Sequence, residues 1–108
     1  MLISTTDFIP NKDIVEFKGL VKGTSVRAKH IGKDFLAGLK HIVGDEINTY
    51  KEMLDESRDF AISRMIKEAE DLGANAITSC RLSSSQVMQG ASEMVVYGTA
   101  VVVQDKDI

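Results

Sequence analysis

The chain has 108 residues, 44% of them apolar and 27% charged, with a formal net charge of -3, which is material for one continuous domain over residues 1–108 and one core. Lys and Arg are spread along it rather than concentrated, which argues against a nucleic-acid or anionic-membrane partner. No apolar run reaches the ~18 residues of a bilayer span and no basic-then-hydrophobic leader opens the chain, so the cytoplasm is the expected location; the single cysteine, Cys80, cannot form an intramolecular disulfide and agrees with a reducing compartment.

In chain order, Leu2 to Thr5 read as a short first strand closed by the turn-prone Pro10-Asn11-Lys12-Asp13. A longer strand follows from Ile14 to Ala28, with Val15, Phe17 and Val21 on one face and Glu16, Lys18 and Lys22 on the other; Gly19 and Gly23 are expected at bends or bulges. Asp34 is placed to cap a first helix carrying Phe35, Leu36, Leu39, Ile42 and Val43 at helical spacing, with Gly44 as its left-handed stop. The second helix is expected from Ile47 to Leu72, with Thr49-Tyr50-Lys51-Glu52 as capping box and Gly73 as stop. Its main stripe is Ile47, Tyr50, Leu54, Ala61, Met65, Ala69 and Leu72. Met53 and Phe60 form a separate apolar spot that packs either under the first helix or against another subunit.

After Gly73 the alternation returns, Ala76, Thr78, Cys80 and Leu82 against Ile77, Ser79, Arg81 and Ser83, and a turn near Gln89-Gly90-Ala91 leads into the final strand. The expected fold is α+β: a two-layer sandwich of order β-β-α-α-β-β, an antiparallel sheet with two helices on one face. The final strand, Glu93 to Val103, is apolar on both faces: Met94, Val96, Ala100 and Val102 against Val95, Tyr97, Val101 and Val103. A chain this short seldom covers two sheet faces, so one of them is expected to meet a second copy. The larger set, Val95, Tyr97, Val101 and Val103, is assigned to that interface with Met53 and Phe60 as helical contributors; the inverse assignment is the alternative.

No catalytic constellation emerges. Asp45-Glu46 and Asp55-Glu56 diverge by about 100° on a helix and do not converge on one ligand. Arg58 and Arg64 lie on different sides of theirs, and pairing with nearby acids is expected for them and for Arg81. Ser83-Ser84-Ser85 has no nucleophile elbow, and Gly19-x-x-x-Gly23 no phosphate-loop lysine. The weak metal-ligand candidates are Cys80, His30 and His41, which form no spaced motif; each is expected to be structural or solvated unless a ring of subunits pools one ligand from each.

The string Arg27-x-Lys-His-Ile-Gly-Lys-Asp34, Ala37-Gly-Leu-Lys-x-Ile-Val-Gly44, Leu72-Gly-Ala-Asn-Ala-Ile77 and Tyr97-Gly-Thr-Ala-Val101, with Tyr50, Arg58, Arg64-Met65 and Arg81 between, resembles the YbjQ-like family over nearly the whole chain. That family carries the label "putative heavy-metal-binding". The resemblance implies a dodecin-like subunit assembling into a homo-oligomeric ring, a pentamer, and it supplies no reaction, cofactor or catalytic residue. Gly44-Asp45-Glu46 stands where the family usually has Gly-Gly-Glu, and Ile77-Thr-Ser-Cys-Arg81 is less apolar than is common there. The sequence therefore points to a non-enzymatic, self-assembling scaffold or small-ligand binder, with a metal site completed in the oligomer as the alternative.

Overall fold

The protein is described by a computed structural model covering residues 1–28, 44–88 and 91–107, with the side chains of residues 27, 28, 44–50 and 87 outside that description. Four strands and one helix are present among these residues: β1 (Leu2–Ile3), β2 (Lys12–Ala28), α1 (Gly44–Asp71), β3 (Ala76–Met88) and β4 (Ala91–Asp105). The expected first helix falls outside the described residues. The sheet order is β1-β3-β4-β2, with β4 antiparallel to both β2 and β3. The wholly antiparallel expectation fails at one edge, where β1 runs parallel to β3. Instead of turning back beside β2, the chain after β1 crosses the sheet to reach β2 at the opposite edge.

α1 is described from Gly44, earlier than the expected Ile47, so Thr49 to Glu52 lie inside it rather than at its cap. Its end is as expected: Gly73 is left-handed at φ +84°, Ala74 N–H donates to Ala69 C=O at 3.0 Å and Gly73 N–H to Glu70 C=O at 2.9 Å. These two bonds satisfy carbonyls that the last turn would leave unpaired. Ala61, Met65 and Ala69 are fully buried and pack with Val21, Ile77, Met94, Val96 and Ala100, forming the core between helix and sheet. Leu72 is exposed instead of completing the stripe, because the helix has ended before it. Ser57 holds a buried place on the same side and donates to Ser25 Oγ at 3.1 Å, so a hydroxyl pair replaces an apolar contact there.

Bulges overturn two of the expected strand faces. β2 slips register between Ile14 and Glu16 and again between Phe17 and Gly19, where Gly19 has φ +113°. Each extra residue reverses the alternation beyond it. Val21 therefore faces α1, while Phe17, paired with Val101, lies on the opposite face and is 73% exposed; Val15 is exposed as well. In β3 the slip between Thr78 and Arg81, with Ser79 at φ +54°, turns Cys80 away from Ala76 and Thr78 and into the core beside Ile77.

The face opposite α1 is partly closed by residues 4–11. Ile9 packs with Ala76, Val101 and Val103 in a second small core. Ser4 N–H donates to Ile77 C=O at 2.9 Å, Ser79 N–H to Thr6 C=O at 2.7 Å and Cys80 N–H to Ser4 C=O at 2.9 Å, so the crossing is tied to β3 before it leaves. Asn75 pins the far end: its amide donates to Val103 C=O at 2.9 Å and accepts from Val103 N–H at 2.7 Å. The radius of gyration is 17.8 Å with extents of 61 × 23 × 16 Å. A compact chain of this length would have about 13 Å. The chain is a long plate with a large surface for its mass.

Candidate functional site

The interface residues expected from the sequence separate into two groups. Val101, 2% exposed, and Val103 are enclosed within the single chain by Ile9 and Ala76, which corrects their assignment to an intersubunit contact. The regular alternation of β4 was legible, but a crossing built from polar residues 4–7 plus one isoleucine was not. Tyr97 stays exposed and Val95 half-buried on that face. Register places Leu20 opposite Thr99, Lys22 opposite Tyr97, Thr24 opposite Val95 and Val26 opposite Glu93. Phe17, Leu20, Val26 and Tyr97 thus share the sheet face away from α1, and Leu20 is 68% exposed. Phe17, Leu20 and Val26 carried no signal of this in the sequence, since the β2 bulges decide which way they point.

Two sheet edges flank this face. β2 has a neighbour on one side only over its 17 residues, and β3 beyond Arg81 has no partner other than β4 among the described residues. Such edges present backbone N–H and C=O groups with hydrogen-bonding capacity to spare, and on β2 two of them are already engaged by α1, since Lys22 N–H donates to Glu68 Oε1 at 3.3 Å and Thr24 C=O accepts from Arg64. Of the helical candidates, Met53 is half-buried and Phe60 is exposed beside β2.

Of the metal-ligand candidates, His30 and His41 lie outside the described residues. Cys80 is buried, and burial pushes its thiol above the ordinary value of 9.0, with the Arg81 charge opposing in part. The neutral thiol is a poor metal ligand and nucleophile, since the thiolate does that chemistry. Among the described residues no three His, Cys, Asp or Glu side chains come together in a metal-holding group. Ellman's reagent should therefore modify Cys80 roughly 100-fold more slowly in the native protein than in the urea-unfolded chain at the same pH, because access requires opening. Because the native thiol holds its proton more tightly than the unfolded one, its stabilising contribution is complete below the ordinary value. It is lost as pH rises through the higher native value.

The arginines behave in three ways. Arg58 pairs with Asp55 at 3.1 Å, as expected. Arg81 does not pair with an acid among the described residues; it donates to the carbonyls of Thr5 at 2.7 Å and Cys80 at 2.9 Å, fastening the crossing segment. Arg64 likewise has no carboxylate partner there: its guanidinium stacks 4.4 Å from the Phe60 ring centre and donates to Thr24 C=O at 3.2 Å. Beside it, Thr24, Ser25, Val26, Phe60 and Arg64 line a cleft of about 380 Å³ between β2 and α1. Sequence reasoning missed Thr24 and Ser25 in this role.

An α+β plate with an apolar open face and no catalytic cluster among its described residues defines a class of small domain rather than a reaction. The chain belongs to the family described as "Putative heavy-metal-binding", whose profile matches residues 1–104. It is 58% identical over 105 residues to a "UPF0145 protein" of Clostridium perfringens, covering 97% of this chain and 99% of that one. A "UPF0145 protein" of Thermosipho melanesiensis is 56% identical over 108 residues with full coverage of both, and one of Archaeoglobus fulgidus is 54% identical over 101 residues, covering 94% of each. In fold, the chain is similar to the crystal structure of a protein of unknown function of the DUF74 family from Pediococcus pentosaceus. The TM-score is 0.53 at 20% identity, over 98% of both chains. No helix of the described residues is long and apolar enough to cross a membrane.

Proposed function

We propose that this chain is a non-enzymatic cytoplasmic domain that self-associates into a closed ring and works as a scaffold or carrier of a small ligand. The observation that carries the reading is the exposed row of Phe17, Leu20, Val26 and Tyr97 on the sheet face away from α1. Burying it at about 25 cal/mol per Å² supplies the driving force for association. The two edges, β2, partly capped by Glu68 and Arg64, and the far half of β3, are unlike surfaces at opposite sides of one sheet. Joining unlike surfaces head to tail generates rings when the rotation closes, which agrees with the pentamer the family resemblance implies.

Light scattering at micromolar concentration tests this. The native protein is expected at a multiple of 11.8 kDa. Leu20→Lys should release a folded monomer with its helical circular dichroism kept, because Leu20 already faces solvent in the single chain. A native protein of monomer mass would end the proposal.

The family description favours a second reading, a heavy-metal site completed between subunits. Metal analysis of protein purified without a histidine tag distinguishes the two. Near-stoichiometric metal that disappears in Cys80→Ser would put the second reading first.

A further inference from the structure

We propose that the cleft between β2 and α1 is a binding site for a small organic carboxylate, held by Arg64 with Ser25 and flanked by Phe60. Three observations meet there. Arg64 is already oriented, stacked on Phe60 at 4.4 Å and bonded through Nη1 to the Thr24 carbonyl at 3.2 Å. Its remaining donors have no carboxylate among the described residues, in a chain with more acids than bases where Arg58 has found Asp55. A planar guanidinium held in this way presents a fork matched to the two oxygens of a carboxylate.

The second observation is the buried pair below it. Ser25 is 3% exposed, lines the cleft and shares one hydrogen bond with Ser57, also buried. One bond between two hydroxyls uses one of their two protons. The other has no acceptor among the described residues, and a carboxylate oxygen on Arg64 would provide one. Third, the Phe60 ring gives the cleft an apolar wall, and about 380 Å³ suits a ligand with a short hydrocarbon or aryl body rather than a bare ion. The site lies between α1 and the β2 edge, and Arg64, Ser25 and Phe60 all belong to one chain, so a protein that proves monomeric can still bind.

Benzoate is the probe, titrated against the full chain and followed by amide and side-chain NMR shifts. Saturable shifts confined to residues 24–26 and 60–64 are expected with a dissociation constant on the order of 1 mM. Benzamide, the neutral isostere, should bind at least ~10-fold more weakly, as should benzoate to Arg64→Gln with its far-ultraviolet spectrum unchanged. Ser25→Ala should weaken benzoate a few-fold. Equal binding of benzamide, equal binding by Arg64→Gln, or no saturable shift at 20-fold the expected constant would overturn the proposal. So would displacement by inorganic phosphate at the same concentration, which would mark an unselective anion contact. The benzamide comparison decides the matter even if the arginine variant fails to fold.

Discussion

Val101→Lys is expected to unfold the chain rather than merely release it from an assembly. Val101 pairs with Phe17 on one side and Ala76 on the other, and packs with Ile9, Ala76 and Val103 under the crossing segment. A lysine there leaves a charge without a partner in an apolar pocket, at about 3–5 kcal/mol, a large share of the ~5–15 kcal/mol that holds a domain of this size together. The loss should appear as disappearance of both helical circular dichroism and oligomer mass. Val101→Ala, which removes two methyl groups without adding a charge, should cost about 2 kcal/mol and keep the fold. The comparison with Leu20→Lys makes the test sharp, since both residues lie on the same sheet face and only one is sealed within the chain. A Val101→Lys protein that is monomeric with full helical signal would mean that the crossing segment does not close that part of the sheet in solution.

The contrast between these two positions also shows what the sequence could convey. The strands β2, β3 and β4 and the long helix are legible in their periodicities, and Gly73 marks the helix end because only a residue at ease at positive φ suits that turn. The apolar character of both faces of β4 was legible too. Register was not. A bulge changes which residues share a face without altering composition, so Phe17 reads as a companion of Val21 although it lies away from it, and Cys80 reads as a companion of Ala76 although it packs with Ile77. Long-range contacts made by polar residues escape periodicity in the same way. Nothing in the alternation around Asn75 indicates its clamp on Val103, and nothing around Arg64 or Thr24 indicates that a strand carbonyl and a helix cation share one cleft. His30 and His41 lie outside the described residues, and the burial of Cys80 is a consequence of the β3 bulge.

Gly23→Ala is expected to lift α1 off the sheet. A Cβ built at Gly23 would sit 1.8 Å from the Ala61 carbonyl oxygen, 2.7 Å from the Met65 nitrogen and 2.9 Å from the Ala61 carbonyl carbon. All three atoms are helix backbone, so no side chain can rotate aside and the helix itself must move. Overpacking a core usually costs about 1–3 kcal/mol, and a clash with backbone belongs at or above the top of that range. Because the nearest atoms are backbone, Ala61→Gly should not rescue the variant. Gly19→Ala provides the control: it has φ +113° and nothing within 4 Å of the added carbon, so its cost is backbone strain alone, about 1–3 kcal/mol, with no displacement of α1. Urea midpoints should therefore fall further for Gly23→Ala than for Gly19→Ala. The displacement has a second readout, because Gly23 lies one residue from Thr24, whose carbonyl receives Arg64, and two from Ser25, which receives Ser57. Moving α1 outward draws both helical partners away from β2 together, so NMR shifts should spread from residue 23 along residues 57–65. A Gly23→Ala protein as stable as Gly19→Ala, with the resonances of residues 57–65 unmoved, would show that helix and strand are not in this close contact.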